Sequence, residues 1–137
     1  MKKNAIKILF VIYMLSILRI TIFRSGISFE HLLEGRINIS LFQSYVPLLE
    51  TGDWIRIVYL FVGNIIWFIP FGMYLQWCGK WKLKGIIMMG FCFSLFIEVM
   101  QYVLGTGISE LDDLILNTAG TAIGAWIIKN KRNARCF

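Results

Sequence analysis

The chain has 137 residues, 58% hydrophobic and only 16% charged, with a net charge of +6 and a mean hydropathy of +0.69. Soluble domains lie nearer ~45–50% apolar and ~25% charged, so these totals argue against a single soluble core and for an integral membrane protein. Nor does the positive charge point to nucleic acid. Lys2, Lys3 and Lys7, then Lys80, Lys82 and Lys84, then Lys129, Lys131, Arg132 and Arg135 each flank an apolar run. That is the distribution of cytoplasmic loops, not of a basic stripe.

Residues 5–23 form the first apolar run. Twelve of them are Ile, Leu, Phe or Val; at roughly −0.3 to −0.6 kcal/mol each they outweigh the ~2.5–3.5 kcal/mol cost of Arg19. The run is expected to be a retained span rather than a cleaved signal peptide, because Arg19 interrupts it and no A-x-A-like site follows. Residues 24–54 follow as a loop in which Glu30, Glu34, Glu50 and Asp53 outnumber Arg24 and Arg36, as an extracytoplasmic loop should. Its recurring apolar residues suggest an interfacial helix or re-entrant piece, and Pro47 should end any helix there.

The second span is expected at 55–77, with Trp54 and Trp77 near its ends as an aromatic belt. Pro70 and Gly72 lie inside it, and Pro70 predicts a kink. A lysine-bearing link leads to a third span at 85–104. The link 105–113 carries Glu110, Asp112 and Asp113 with no base, which places it outside. A fourth span at 112–128 precedes a basic tail. The expected architecture is therefore all-α: one polytopic membrane domain over 1–137, four transmembrane helices, both termini cytoplasmic.

Polar groups inside these runs are the candidate functional residues, since ionisable side chains in lipid usually face a bundle interior or a wet cavity. Ser94 and Glu98 are four apart, and Glu98 and Gln101 three apart, so all three share one helix face. Asp113 and Asn117 share another, which Gly120 and Gly124 continue as a small-xxx-small packing stripe. By helical rise Glu98 lies ~10 Å below the outer edge, Asn117 ~6 Å below Asp113, Asn64 ~12 Å below Arg56, and Arg19 ~7–8 Å deep. Arg19, Asn64, Ser94, Glu98, Gln101, Asp112, Asp113 and Asn117 thus form a candidate ligand-binding set in the outer half of the bilayer. Matching depth and opposite charge make Arg19 the first candidate partner for Glu98 and Arg56 the second. Asp112 and Asp113 also suit a simple helix cap.

Cys78, Cys92 and Cys136 show no metal or disulfide spacing, and the single histidine, His31, lies in a polar loop. No metal and no cofactor is expected.

Three blocks resemble the VanZ-like family of small bacterial membrane proteins. They are Gly63-Asn64-Ile-Ile-Trp-Phe-Ile-Pro70-Phe-Gly72, Ser94-Leu-Phe-Ile-Glu98-Val-Met-Gln101, and Asp112-Asp113-Leu-Ile-Leu-Asn117-Thr-Ala-Gly120 with Gly124. The chain departs from the family's Asn-Leu-x-Pro-Phe pattern at Asn38-Ile-Ser-Leu41-Phe42, where leucine replaces proline. The resemblance implies a protein of the bacterial cytoplasmic membrane that lowers susceptibility to teicoplanin, an acyl-bearing glycopeptide acting at the outer face.

Two readings of the polar set stay open. In the first the protein binds an amphiphile, a membrane lipid or lipidated ligand, or an envelope protein, which needs only polar complementarity. In the second it is an enzyme acting on a lipid-linked envelope intermediate, with Glu98 or Asp113 as acid or base. Nothing in the sequence backs a specific chemistry, so the binding reading is preferred. Transport would require a homo-oligomer, since the chain contains no repeat.

Overall fold

The computed structural model describes residues 2–23, 32–79 and 81–133. Arg24, Glu30, His31, Lys80, Arg135 and Cys136 lie outside the described residues. The elements in order are α1 (Lys2–Thr21), β1 (Arg36–Asn38), a 3-10 turn (Gln43–Tyr45), α2 (Val46–Glu50), α3 (Trp54–Cys78), α4 (Leu83–Leu104), β2 (Ile108–Glu110) and α5 (Leu111–Asn133). Three of them, α1, α3 and α4, are long and apolar enough to cross a membrane. α5 is as long, but Asp112, Asp113 and Asn117 and a run of small residues dilute its apolar content.

The outer segments differ from expectation in three ways. Residues 32–54 do not form one interfacial helix; they hold a short strand, a 3-10 turn and the five-residue α2. Pro47 opens α2 instead of ending a helix, because in the first turn its missing N–H has no intrahelical partner to lose. The acidic link 105–113, expected only as a connection, holds β2, which pairs with β1 in a two-stranded sheet. Three-residue strands are too short to declare an alternating pattern in sequence.

The chain divides into two compact units. The first holds α1, residues 32–37 and residues 96–109. Ile17 and Ile22 are buried here, the Leu33 N–H donates to the Val103 carbonyl at 2.9 Å, and Gly35 lies flush against the backbone of Tyr102. The remainder of α1 presents Ile8, Leu9, Ile12 and Leu15 outward, as a lipid-facing helix would.

The second unit holds residues 38–95 and 110–133. Asp53 caps α3 by accepting the Arg56 N–H at 3.1 Å, and Gly79 ends it in the left-handed region at φ 67°, the usual helix stop. α3 runs unbroken through Pro70. Of its buried residues, Phe68, Phe71, Gly72 and Leu75, Gly72 meets α5. The backbone of Gly120 lies against the Ile65 carbonyl and that of Gly124 against the Ile69 carbonyl, while Gly72 meets the Thr121 carbonyl. Both sets of numbers rise together, so α3 and α5 run parallel. Gly90 touches Thr121 and Ser94 bonds Asn117; here the numbers run oppositely, so α4 is antiparallel to α5. Phe93 stacks on Phe71 with centroids 5.1 Å apart and tilts against Phe68 at 5.7 Å, which fills the apolar end of this core.

Candidate functional site

Along α5 the residues four apart, Asp113 and Asn117, share a face, and the structure gives each a partner on a different helix. The Asn64 amide of α3 donates to the Asp113 carboxylate. The Asn117 amide donates to Ser94 Oγ of α4 at 2.9 Å, with Asn117 5% exposed and Ser94 fully buried. Thr121, one turn further, returns its hydroxyl to the Asn117 carbonyl at 3.1 Å. Three helices are thus joined by polar contacts, which substitute for unmet groups in hydrocarbon.

Asp112 faces elsewhere. Its Oδ2 accepts the Phe42 N–H at 2.8 Å. Next to it Ser44 donates to Glu110 and accepts from the Asn38 amide at 3.1 Å. Two carboxylates, Glu110 at the end of β2 and Asp112 at the start of α5, therefore fasten residues 38–45. Phe42 stands in the left-handed region at φ 58°, a strained setting for a bulky side chain. Its ring joins Tyr45 and Phe61, with centroids 5.9–6.5 Å apart. Burial, then the charges of Asp113, Asp112 and Glu110, push the Tyr45 hydroxyl up to about 12.

Of the expected set, the structure joins Asn64 to Asp113 and Ser94 to Asn117, and it fastens Asp112 to the loop. Gln101 lies in the first unit and donates to the Thr21 carbonyl at 3.2 Å. Glu98 is 3% exposed, one turn past Ser94 along α4. Arg19 is exposed, and among the described residues its guanidinium bonds the Phe23 carbonyl rather than a carboxylate. Arg56 is exposed in the first turn of α3. Pro70 is exposed, whereas Gly72, Gly120 and Gly124 are buried at the α3–α5 contact. No group of three or more metal-ligating side chains occurs among the described residues.

Sequence reasoning missed Ser44, Glu110 and the Phe42 N–H. Glu110 was visible only as one of three acids in a link, and nothing marks Ser44. Among the described residues, three side chains of the expected set have a buried oxygen without a hydrogen-bond partner: Gln101 Oε1 in the first unit, and Asp112 Oδ1 and Asn117 Oδ1 in the second. Their chemistry suits a ligand or water that donates N–H or O–H.

Membrane-length helices that turn their polar side chains inward define a class, the multi-helix membrane proteins. A family model described as VanZ/LLP1 matches residues 10–132. The chain belongs to the VanZ/LLP1 family. No curated protein and no solved structure matches it.

Proposed function

We propose that this chain is a four-span protein of the bacterial cytoplasmic membrane with both ends inside, and that it binds an amphiphile in the outer leaflet. The fourth span is supported by packing. α5 lies parallel to α3 from Asn64–Asp113 to Ile69–Gly124 and antiparallel to α4. A helix bracketed in this way by two membrane-length helices shares their environment. Its low apolar content reflects a polar face turned inward.

The observation that carries the binding reading is the buried acceptor Asn117 Oδ1, unmet among the described residues beside the Asn64–Asp113 and Ser94–Asn117 bonds, with Asp112 Oδ1 a second such acceptor on another face of α5. In the first unit Glu98, Gln101 and Arg19 are proposed by themselves as further ligand contacts of the outer half. An amphiphile with amide or hydroxyl donors near its head group complements these acceptors, and an acyl-bearing glycopeptide of the teicoplanin type has both parts. The protein would then lower susceptibility to such lipoglycopeptides by holding them in lipid. A membrane lipid or an envelope protein offering the same donors is the natural resident ligand.

Teicoplanin and vancomycin susceptibility in a Gram-positive host tests this, comparing empty vector, wild type, Asn117→Ala and Glu98→Gln at matched membrane levels. Wild type should raise tolerance to teicoplanin and not to vancomycin. Asn117→Ala should remove most of the effect, because one lost hydrogen bond of about 1.4 kcal/mol weakens binding roughly tenfold. Glu98→Gln should keep it, since the isostere still hydrogen-bonds. Collapse of Glu98→Gln would instead favour acid–base chemistry on a lipid-linked substrate. No effect of wild type on either drug would remove teicoplanin as the ligand.

A further inference from the structure

Residues 38–49 are inside out for a loop in water. The stretch contains no charged residue. Ile39 is 76% exposed, Leu41 54%, Val46 48% and Leu49 49%. Ser40 and Gln43 are exposed with them, but Asn38 and Ser44 turn the other way, Asn38 to Ser44 and Ser44 to Glu110.

The backbone repeats the pattern. The Ser40 N–H donates to Asn38 Oδ1 at 3.1 Å and the Phe42 N–H to Asp112 at 2.8 Å. The Gln43 N–H reaches the Ser40 carbonyl at 3.4 Å and the Tyr45 N–H the Phe42 carbonyl at 3.0 Å. The Val46 N–H bonds the Gln43 carbonyl, and Pro47 has none. Five of the segment's N–H groups, those of Ser40, Phe42, Gln43, Tyr45 and Val46, are met within the protein. Irregular backbone beside lipid needs such partners, because lipid offers none. The segment then leads, through the exposed turn at Thr51 and Gly52, to Trp54 and Ile55, which are 63% and 86% exposed at the head of a membrane-length helix.

We propose that residues 38–49 dock onto the lipid of the outer leaflet. Ile39, Leu41, Val46 and Leu49 enter the boundary between head groups and acyl chains, and the polar atoms are held inward by Glu110 and Asp112. The segment is an interfacial shelf and not a water-exposed loop. The inference rests on the outward orientation proposed above, and the test below separates the two.

The full chain with Cys78, Cys92 and Cys136 replaced by alanine carries one new cysteine at a time: Ile39→Cys, Leu41→Cys, Leu49→Cys, or Thr51→Cys as the water reference. Intact cells are treated with a charged, membrane-impermeant maleimide and, separately, with an apolar permeant one. Thiolate is the reactive species and apolar surroundings suppress it, so the first three positions should label with the charged reagent roughly tenfold or more slowly than position 51. They should label readily with the apolar reagent. Labelling as fast as position 51 by the charged reagent would overturn the proposal in favour of a loop in water. Resistance to both reagents would overturn it in favour of a covering protein. If position 51 labels only after permeabilisation, the outward orientation fails instead. The same comparison in permeabilised cells then decides the docking.

Discussion

Gly124→Ala should lower the thermal unfolding midpoint of the detergent-solubilised protein by on the order of 10 °C, while Gly63→Ala should leave it unchanged or raise it. The two substitutions are chemically identical and both fall within a helix. At Gly124 an added Cβ would collide with the Ile69 carbonyl and sit 2.9 Å from the Met73 nitrogen. These are backbone atoms of α3, which cannot rotate aside as a side chain can. α3 and α5 would have to separate along their shared face. The same separation loosens Gly120 from Ile65 and Gly72 from Thr121, so one methyl is felt at three contacts. Overpacking of ordinary cores costs ~1–3 kcal/mol; rigid neighbours put this case at about 3 kcal/mol or more. At Gly63 nothing lies within 4 Å of the added carbon. There the only change is a less mobile unfolded chain, worth about 0.4–1 kcal/mol of stabilisation. Equal midpoints for the two variants would show that the glycines are not what brings α3 and α5 together.

The same contrast shows what the sequence could and could not disclose. Apolar runs at 5–23, 55–77 and 85–104 announced α1, α3 and α4 to within a few residues, because burial in lipid leaves long uncharged stretches. The shared face of Asp113 and Asn117 followed from helical period alone. Their partners did not. Helical rise supplies the depth of a residue but not the direction in which its helix is turned. Arg19 and Glu98 match in depth by helical rise, yet the Arg19 guanidinium turns to the carbonyl of Phe23. Direction is set by tertiary contacts such as Gly120 on Ile65, which a single sequence does not encode legibly. Pro47 was misleading because proline both ends helices and opens them, and only its position in the turn decides. Phe42 in a left-handed conformation had no sequence signal at all. A glycine or asparagine would have given one.

The adjacent acids of α5 should separate cleanly on mutation. Neighbouring residues on a helix point about 100° apart. Asp112 accordingly reaches the Phe42 N–H, whereas Asp113 takes the Asn64 amide. Asp112→Ala leaves a part-buried N–H without an acceptor, a loss of ~1–3 kcal/mol, at a residue already held in a strained left-handed setting. Amide exchange at Phe42 should therefore quicken roughly tenfold or more, and residues 38–45 should loosen with it. Asp112→Asn retains a carbonyl oxygen in the same place and should keep most of the protection. If Asp112→Asn is as damaging as alanine, charge rather than the acceptor holds the loop. Asp113→Ala should leave exchange at Phe42 nearly untouched and instead free the Asn64 amide between α3 and α5. Loss of that one helix–helix bond is worth about 0.6–2 kcal/mol, which the glycine contacts further along the same helices can absorb. Asp113→Ala should thus remain folded while altering the polar face beside Asn117. Asp112→Ala should disturb the outer segment while leaving that face intact. Should the two variants instead loosen Phe42 equally, the carboxylates act as one charged cluster and the division of labour drawn from their hydrogen bonds is wrong.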